Sequence, residues 1–257
     1  MIDPRAVVDP TAEIADDVDI GAYSVIGAGV QIDSGTWVGP HVVIKGPARI
    51  GCDNRIFQFA SLGDDPQDKK YAGETTRLEI GNRNTIREFV SMNRGTVQDG
   101  GVTRVGDDNW IMAYVHIAHD CVLGSQLVLA NGTSLAGHVH VDDHVSFGGF
   151  TLVHQFVHIG AHAFTGHNSA LTGDVPPYIM VAGSERTRPY GVNVIGLKRR
   201  NFSADQIESI RRAYKILYRS SLRLADARIE LVRLAENEPV VQPMVDFLAN
   251  TRRSVIR

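Results

Sequence analysis

The segment of this sequence best suited to chemistry is His116-Ile117-Ala118-His119-Asp120-Cys121. An imidazole beside a carboxylate is the usual form of a general base, because the carboxylate fixes the tautomer and stabilises the imidazolium formed on proton uptake. Neighbouring side chains on a flat strand point in opposite directions, so His119 and Asp120 can pair only where the chain turns. The segment therefore predicts a turn at this point and a general base at His119.

The elements that position these side chains follow a six-residue period. An aliphatic residue recurs every six positions over residues 8–62, 80–92 and 105–171, and only Thr165 of the 25 positions is not apolar. A helix requires a period of 3.6 and a plain strand a period of two, so six suits a short strand followed by a tight corner. The pattern predicts a repetitive β structure.

These hexads resemble the hexapeptide repeats of acyltransferases that fold as left-handed parallel β-helices with three hexads per coil. The resemblance implies a mainly β fold: a left-handed parallel β-helix over residues 1–190, with loops at 63–77 and 95–104 where the period breaks. A small α-helical C-terminal domain is expected over residues 191–257. Its first helix should begin at a capping box, Ser203-Ala204-Asp205-Gln206, its second should cover about 224–235, and Pro243 fits the first turn of a third.

A coil of eighteen residues predicts which side chains stack. We expect His119, His138 and His154 to form one column with His116 next to it, and we expect separate histidine pairs on other faces or corners, His140 with His158 and His144 with His162. Gly137, one coil above His119, should leave a bare backbone N–H that could bind an oxyanion. Cys121 occupies an inward position, which favours packing over nucleophilic chemistry.

Composition excludes several classes of protein. With 43% hydrophobic residues the chain is not disordered, and it contains neither an apolar stretch of membrane-spanning length nor the start of a secretory signal. We expect a cytoplasmic protein without stable membrane insertion. Two cysteines cannot make a disulfide framework or by themselves a zinc site, and we expect no metal and no cofactor.

The charge is unevenly distributed along the chain. Residues 196–257 carry 13 Lys/Arg against 7 Asp/Glu, a local charge of +6, whereas residues 1–195 carry 13 against 22, a charge of −9. A basic tail on an acidic body predicts an acidic partner for the tail.

A closer resemblance covers nearly the whole chain. The sequence resembles the UDP-N-acetylglucosamine acyltransferases, which catalyse the first step of lipid A synthesis, in the segments Gln67-Asp68, Lys70-Tyr71-Ala72-Gly73-Glu74, His116-Ile117-Ala118-His119-Asp120-Cys121, Leu135-Ala136-Gly137-His138-Val139, Val153-His154-Gln155-Phe156, Asp174-Val175-Pro176-Pro177-Tyr178 and Gly196-Leu197-Lys198-Arg199-Arg200. The resemblance implies that His119 takes the proton from the glucosamine 3-hydroxyl as it attacks an acyl-carrier-protein thioester. Asp120 would orient His119, and Gly137 would supply the oxyanion N–H.

The same resemblance implies binding sites and an assembly. The sugar-nucleotide and acyl sites would be lined by Gln67, Asp68, Lys70, His116, His138, His154, Gln155, Asn193 and Arg199. The protein would be a homotrimer with its sites in clefts between subunits, and the acidic carrier protein, rather than nucleic acid, would dock on Arg199, Arg200, Arg211 and Arg212. His167 stands where long-chain members have glycine and would act as an acyl-chain ruler that favours a donor nearer ten than fourteen carbons.

Two positions depart from the family pattern. Asn93 replaces a histidine, and Val194-Ile195 replaces an Ile-Glu pair. An acceptor with a 3-amino group, which would give an amide product, therefore stays open.

Three other classes of protein compete with this interpretation. A γ-type carbonic anhydrase uses the same prism and would bind zinc through histidines such as His116, His119 and His138, although it leaves the long loop and the tail unexplained. A non-catalytic β-helix subunit would not need the polar column. A related N-acyltransferase of the same pathway carries an extra N-terminal domain, which is not expected here because the repeats begin at Val8.

Overall fold

The structure is a computed structural model and describes residues 1–251 and 253–257. The hexads form 25 short strands, and a hairpin of two longer strands follows them. The strands are β1 (Val7–Val8), β2 (Glu13–Ile14), β3 (Asp19–Ile20), β4 (Val25–Ile26), β5 (Val30–Ile32), β6 (Trp37–Val38), β7 (Val43–Ile44), β8 (Ala48–Ile50), β9 (Arg55–Ile56), β10 (Ser61–Asp64), β11 (Arg77–Ile80), β12 (Thr85–Ile86), β13 (Ser91–Asn93), β14 (Val102–Val105), β15 (Trp110–Ile111), β16 (His116–Ile117), β17 (Val122–Leu123), β18 (Val128–Leu129), β19 (Ser134–Leu135), β20 (His140–Val141), β21 (Ser146–Phe147), β22 (Leu152–Val153), β23 (His158–Ile159), β24 (Phe164–Thr165), β25 (Ala170–Leu171), β26 (Ile179–Ala182) and β27 (Arg188–Val192).

Along the hexads, each strand pairs with the strand three positions earlier in the chain. This pairing gives three sheets of nine, eight and ten strands. In regular coils the partners are eighteen residues apart, as for His116 with Ser134 and His140 with His158, and all pairs but β26–β27 are parallel. The chain therefore folds as the left-handed parallel β-helix that the hexads predict.

Three corners join the sheets and are named here by their order in a coil. The first corner, between the nine- and eight-stranded sheets, contains Asp120, His138 and Phe156. The second, between the eight- and ten-stranded sheets, contains Gln126, His144 and His162, and the third contains Tyr114, Phe150 and Asn168. All nine residues adopt left-handed backbone conformations with φ between 53° and 66°, which is how each corner turns within a few residues.

The hexad side chains fill the interior of the prism. Ile44, Ile86, Ile117 and Leu135 are fully buried, and the one polar hexad residue, Thr165, is equally buried and bonded to the Thr151 hydroxyl at 2.9 Å. Apolar burial on all three faces is what stabilises the stack of coils.

The two loops that interrupt the period both leave the prism after a strand of the nine-stranded sheet. Leu62 pairs with Met92, and Met92 in turn pairs with Ile117, so in both cases the partners lie farther apart in sequence than in a regular coil. Each loop is therefore an insertion into one coil, and the first loop is the longer of the two. Strands of the nine-stranded sheet lead into the first corner, so both loops project from that corner. They lie one or two coils before His119.

The C-terminal part begins with structure that the period did not predict. Strand β26 extends the ten-stranded sheet, and β27 returns antiparallel to it and ends at Val192, just past the expected domain boundary. The helices are α1 (Val194–Arg199), α2 (Ala204–Tyr218), α3 (Leu224–Asn237) and α4 (Gln242–Ala249). The capping box on Ser203 and Gln206 forms as expected. No helix in the described residues is both long and apolar enough to cross a membrane.

Candidate active site

His119 and Asp120 meet at the first corner. Asp120 turns the chain with φ of 59°, and this places its Oδ2 atom 2.8 Å from His119 Nδ1. The turn predicted from the sequence is therefore confirmed. Within the described residues the His119 Nε2 atom has no partner, and 14% of the side chain is exposed. This leaves one imidazole nitrogen oriented by a carboxylate and the other free to accept a proton.

The second loop holds Asp120 in place. Thr96 donates its backbone N–H to Asp120 Oδ1 at 2.8 Å and its hydroxyl to Oδ2 at 2.6 Å, and the side chain of Asp120 is fully buried. Burial by itself would raise the pKa of Asp120, but the hydrogen bonds from His119 and Thr96 outweigh burial and lower it below its usual value. The carboxylate is therefore ionised and fixed beside the base.

Gly137 lies against the imidazole of His119. A Cβ atom at this position would come within 2.6 Å of His119 Cε1 and 2.7 Å of Nε2, so a larger residue would collide with the ring. No group in the described part of the chain accepts a hydrogen bond from the Gly137 N–H. The structure therefore places the Gly137 backbone beside the His119 imidazole, as expected from the sequence.

The predicted contact between His119 and His138 forms, but the two residues do not occupy the same position in successive coils. The rings of His119 and His138 are in edge contact at 5.1 Å, and His138 stacks on Phe156 at 4.5 Å. The prediction is wrong for His154, which follows Val153 directly and lies in register with Ala136, before the corner. Residues that stack must be eighteen apart, and the true column is Asp120, His138 and Phe156. The two other predicted histidine stacks form, with centroid distances of 4.8 Å and 4.5 Å.

His116 lies on the nine-stranded sheet next to the corner. Its Nδ1 atom is 2.8 Å from the Ser91 hydroxyl, and burial, followed by the nearby His119, lowers the pKa of His116. Asn93, two residues beyond Ser91, is 5% exposed and donates to the Asp65 carbonyl at 2.7 Å. The Asn93 Oδ1 atom is buried without a partner in the described structure.

The first loop presents polar side chains to solvent near this sheet. Gln67 and Lys70 are exposed, and Asp68 accepts the backbone N–H of Lys70 at 3.0 Å. Arg94 anchors the loop because its buried guanidinium donates to the Tyr71 hydroxyl, at 3.0 Å, and to an Asp65 carboxylate. At the far end of the first corner, Gln155 is exposed beside His154, which is exposed as well.

Asn193 and Arg199 belong to the second corner of the prism. Asn193 caps α1 by accepting from the Gly196 N–H at 3.1 Å, and its Nδ2 donates to the His162 carbonyl at 2.9 Å. Arg199 is exposed at the end of the same helix. The structure does not bring these two residues to His119 within one chain.

The four arginines expected to dock the carrier protein differ in their surroundings. Arg199 is exposed, and Arg200 donates to Gln126 at the second corner. Arg211 and Arg212 are each paired with a glutamate, Glu208 at 3.3 Å and Glu238 at 2.5 Å. The positive charge of the second helix is therefore partly compensated within the chain.

The two remaining residues singled out from the sequence are His167 and Cys121. His167 is exposed at the third corner and has no partner among the described residues. Cys121 is fully buried, and burial raises the pKa of its thiol to about 12, which agrees with packing and excludes a thiolate at neutral pH.

The ligand atoms of His119, Asp120 and His138 lie within 4.8 Å of one another, a spacing that could hold a metal ion. His119 Nδ1 and Asp120 Oδ2 are already bonded to each other, and His116 bonds to Ser91 instead of joining the cluster. This donor set, two histidines and an aspartate, is not the three-histidine set that a γ-type carbonic anhydrase requires.

Sequence reasoning missed three residues that shape the site: Thr96, Arg94 and Asp99. Asp99 places its Oδ2 atom 2.9 Å from His138 Nδ1. All three lie in or beside the interruptions of the hexad period, which is the signal that could have indicated them.

Comparison with known proteins identifies the family of the chain. Residues 174–256 match the family model described as UDP N-acetylglucosamine O-acyltransferase, domain 2, and residues 103–137 match that of the bacterial transferase hexapeptide. The acyl-[acyl-carrier-protein]–UDP-N-acetylglucosamine O-acyltransferases of Thiobacillus denitrificans and Herminiimonas arsenicoxydans are 56% and 54% identical, and each match covers 100% of this chain and 99% of the relative. The crystal structure of Francisella novicida UDP-N-acetylglucosamine acyltransferase superimposes with a TM-score of 0.98 at 44% identity, over 100% of this chain and 94% of that one. The chain belongs to the UDP-N-acetylglucosamine O-acyltransferase family.

Proposed function

We propose that this protein transfers a 3-hydroxyacyl chain from acyl carrier protein to the 3-hydroxyl of UDP-N-acetylglucosamine, the first step of lipid A biosynthesis. The observation that carries the proposal is the His119 imidazole, held by Asp120 at 2.8 Å with its Nε2 unpartnered beside Gly137. Relatives that match over the full length of the chain bear the name of this activity.

The chemistry needs one base and one oxyanion donor. His119 Nε2 removes the proton of the sugar hydroxyl as its oxygen attacks the thioester carbonyl, and the Gly137 N–H stabilises the oxyanion. When the carbon–sulfur bond breaks, the imidazolium returns the proton to the departing thiolate. Asp120 stays ionised throughout and stabilises the imidazolium.

The position of Asn193 and Arg199 supports an assembly of several copies. Both residues lie at the second corner, and His119 lies at the first. If they bind substrate near the base, a second copy of the chain must supply them. We propose a homotrimer in which the second corner of one subunit faces the first corner of the next.

The positive charge of the C-terminal tail supports an acidic carrier protein as the acyl donor. The +6 tail complements an acidic carrier protein, and Arg199 and the neighbouring Arg200 are exposed cations near the second corner. A nucleotide sugar and an acyl carrier protein are cytoplasmic compounds, so we place the enzyme in the cytoplasm.

The direct test is mass spectrometry of the product formed by the purified protein from UDP-N-acetylglucosamine and a panel of 3-hydroxyacyl carrier proteins. We expect an ester at the sugar 3-position that mild base cleaves. Absence of any acylated sugar nucleotide across the panel would exclude the proposal.

A second acceptor is favoured by one observation. Asn93 Oδ1 is a buried acceptor without a partner in the described structure, on the strand next to His116. A 3-amino group could donate to such an oxygen, and the product would be an amide that resists mild base. Including the 3-amino analogue in the same panel distinguishes the two acceptors.

A further inference from the structure

Asp99 is the last residue of a short 3-10 turn, Val97–Asp99, in the second loop. Gly100 follows with φ of 83° and Gly101 with φ of 74°, conformations that let the chain reverse and bring the turn back over the first corner. Side-chain contacts attach the loop there at two points, Thr96 on Asp120 and Asp99 on His138. The second loop therefore reaches both histidine–carboxylate pairs.

His138 is fixed by three different contacts. Its ring face stacks on Phe156, its ring meets His119 edge-on, and its Nδ1 atom is 2.9 Å from Asp99 Oδ2. The side chain is 11% exposed, and its Nε2 atom lies 3.8 Å from Asp120 Oδ2, too far for a hydrogen bond. An ionised carboxylate can only accept hydrogen bonds, so Nδ1 must carry the proton.

We infer that Asp99 is a positioning residue that holds His138 in the Nδ1–H tautomer, with Nε2 directed toward the reaction centre. The inference rests on the proposed function and deepens it. His119 and His138 would then each be oriented by a carboxylate through Nδ1, and each would present Nε2. The first oriented imidazole takes the proton of the acceptor, and the second is available to accept a hydrogen bond from a substrate O–H or N–H next to it.

The first test needs no substrate. Nitrogen-15 NMR of the imidazoles, with His138 assigned by a His138→Gln variant, reports which ring nitrogen carries the proton. We expect a single Nδ1–H tautomer in the unmodified protein and a mixture of tautomers in Asp99→Ala. A single Nδ1–H tautomer in Asp99→Ala would overturn the inference, whether or not the protein proves to be an acyltransferase.

The second test is kinetic. Asp99→Ala should raise KM for the sugar nucleotide roughly tenfold, the scale of one lost charge-assisted hydrogen bond, with a smaller change in kcat. Asp99→Asn keeps an acceptor oxygen and should restore part of the loss. Gln98→Ala is the matched control, because Gln98 is exposed in the same turn without a described partner. An equal loss in Gln98→Ala would show that the turn matters only as structure, and an unchanged KM in Asp99→Ala would also refute the role.

Discussion

The first and second corners each bring two histidines from successive coils into ring contact, yet the surroundings of the two pairs differ. At the first corner His119 and His138 each bond to a carboxylate, at 2.8 Å and 2.9 Å. At the second corner His144 and His162 stack on each other, and His162 packs on Tyr178 and Phe202, without a carboxylate bond to either ring in the described structure. At these two corners the difference therefore lies in the carboxylate partners and not in the histidines themselves.

The sharpest test of this difference compares one histidine from each corner. His119→Ala should lower kcat by about 10²–10⁴, the usual loss of a general base, with little change in melting temperature because the ring is partly exposed. The control is His144→Ala at the second corner, which should lower kcat far less because its ring has no carboxylate partner in the described structure. Steady-state kinetics and thermal melts decide, and a His119→Ala enzyme that keeps more than about a tenth of the rate contradicts the assignment.

The third corner offers a test of substrate length instead of proton transfer. If the exposed His167 closes the far end of the acyl groove, His167→Gly should shift the preference from ten-carbon toward fourteen-carbon donors. Each methylene buried is worth about 0.8 kcal/mol, so four methylenes amount to about 3.2 kcal/mol, or roughly 200-fold as an upper limit.

Competition between the two acyl carrier proteins measures this preference. Asn168→Gly is the control, because Asn168 already adopts a left-handed conformation that glycine tolerates, and we expect no shift there. A wild-type enzyme that already prefers fourteen carbons would show that His167 does not limit chain length.

A smaller effect on the donor KM is expected from removing the charge of Arg200 at the second corner. Arg200→Gln should raise KM for acyl carrier protein by about two- to fivefold at low salt, the range of an exposed ion pair, and should reduce the salt dependence. Lys198→Gln on the same helix serves as the comparison, since Lys198 is exposed without a described partner. A donor KM that stays constant in Arg200→Gln removes the second corner from the docking surface.

The smallest effect concerns stability and pH. Burial, followed by the nearby His144 and Arg200, lowers the pKa of His162 to about 4. An unfolded histidine has a pKa near 6.5. Between about pH 6.5 and 4 this histidine is therefore protonated in the unfolded chain but not in the folded protein. Folding stability should therefore fall as the pH falls through this range. His162→Phe should flatten that dependence in urea denaturation curves, and parallel curves for the two proteins would assign it to other groups.

The sequence predicted the scaffold well because each six-residue repeat forms one strand and one corner, and three repeats form one coil. It also predicted the contact of His119 with Asp120, since the pair can form only at a corner. Strands β26 and β27 escaped prediction because an antiparallel hairpin closes the prism outside the period. Asp99 escaped because its contact with His138 spans 39 residues and depends on the path of a loop, which no local pattern encodes.

The pairing of strands eighteen residues apart also bears on how the molecule folds. That separation is about 0.07 of the chain length, in the range of fast-folding helical bundles although the fold is a parallel β structure. Each coil can form on the edge of its neighbour, so folding can propagate from coil to coil along the prism. The first corner is complete once the coils from β10 to β22 have formed, before any tail helix is needed. Pulse-labelled hydrogen exchange should show amides around His119 protected ahead of those in α2 to α4.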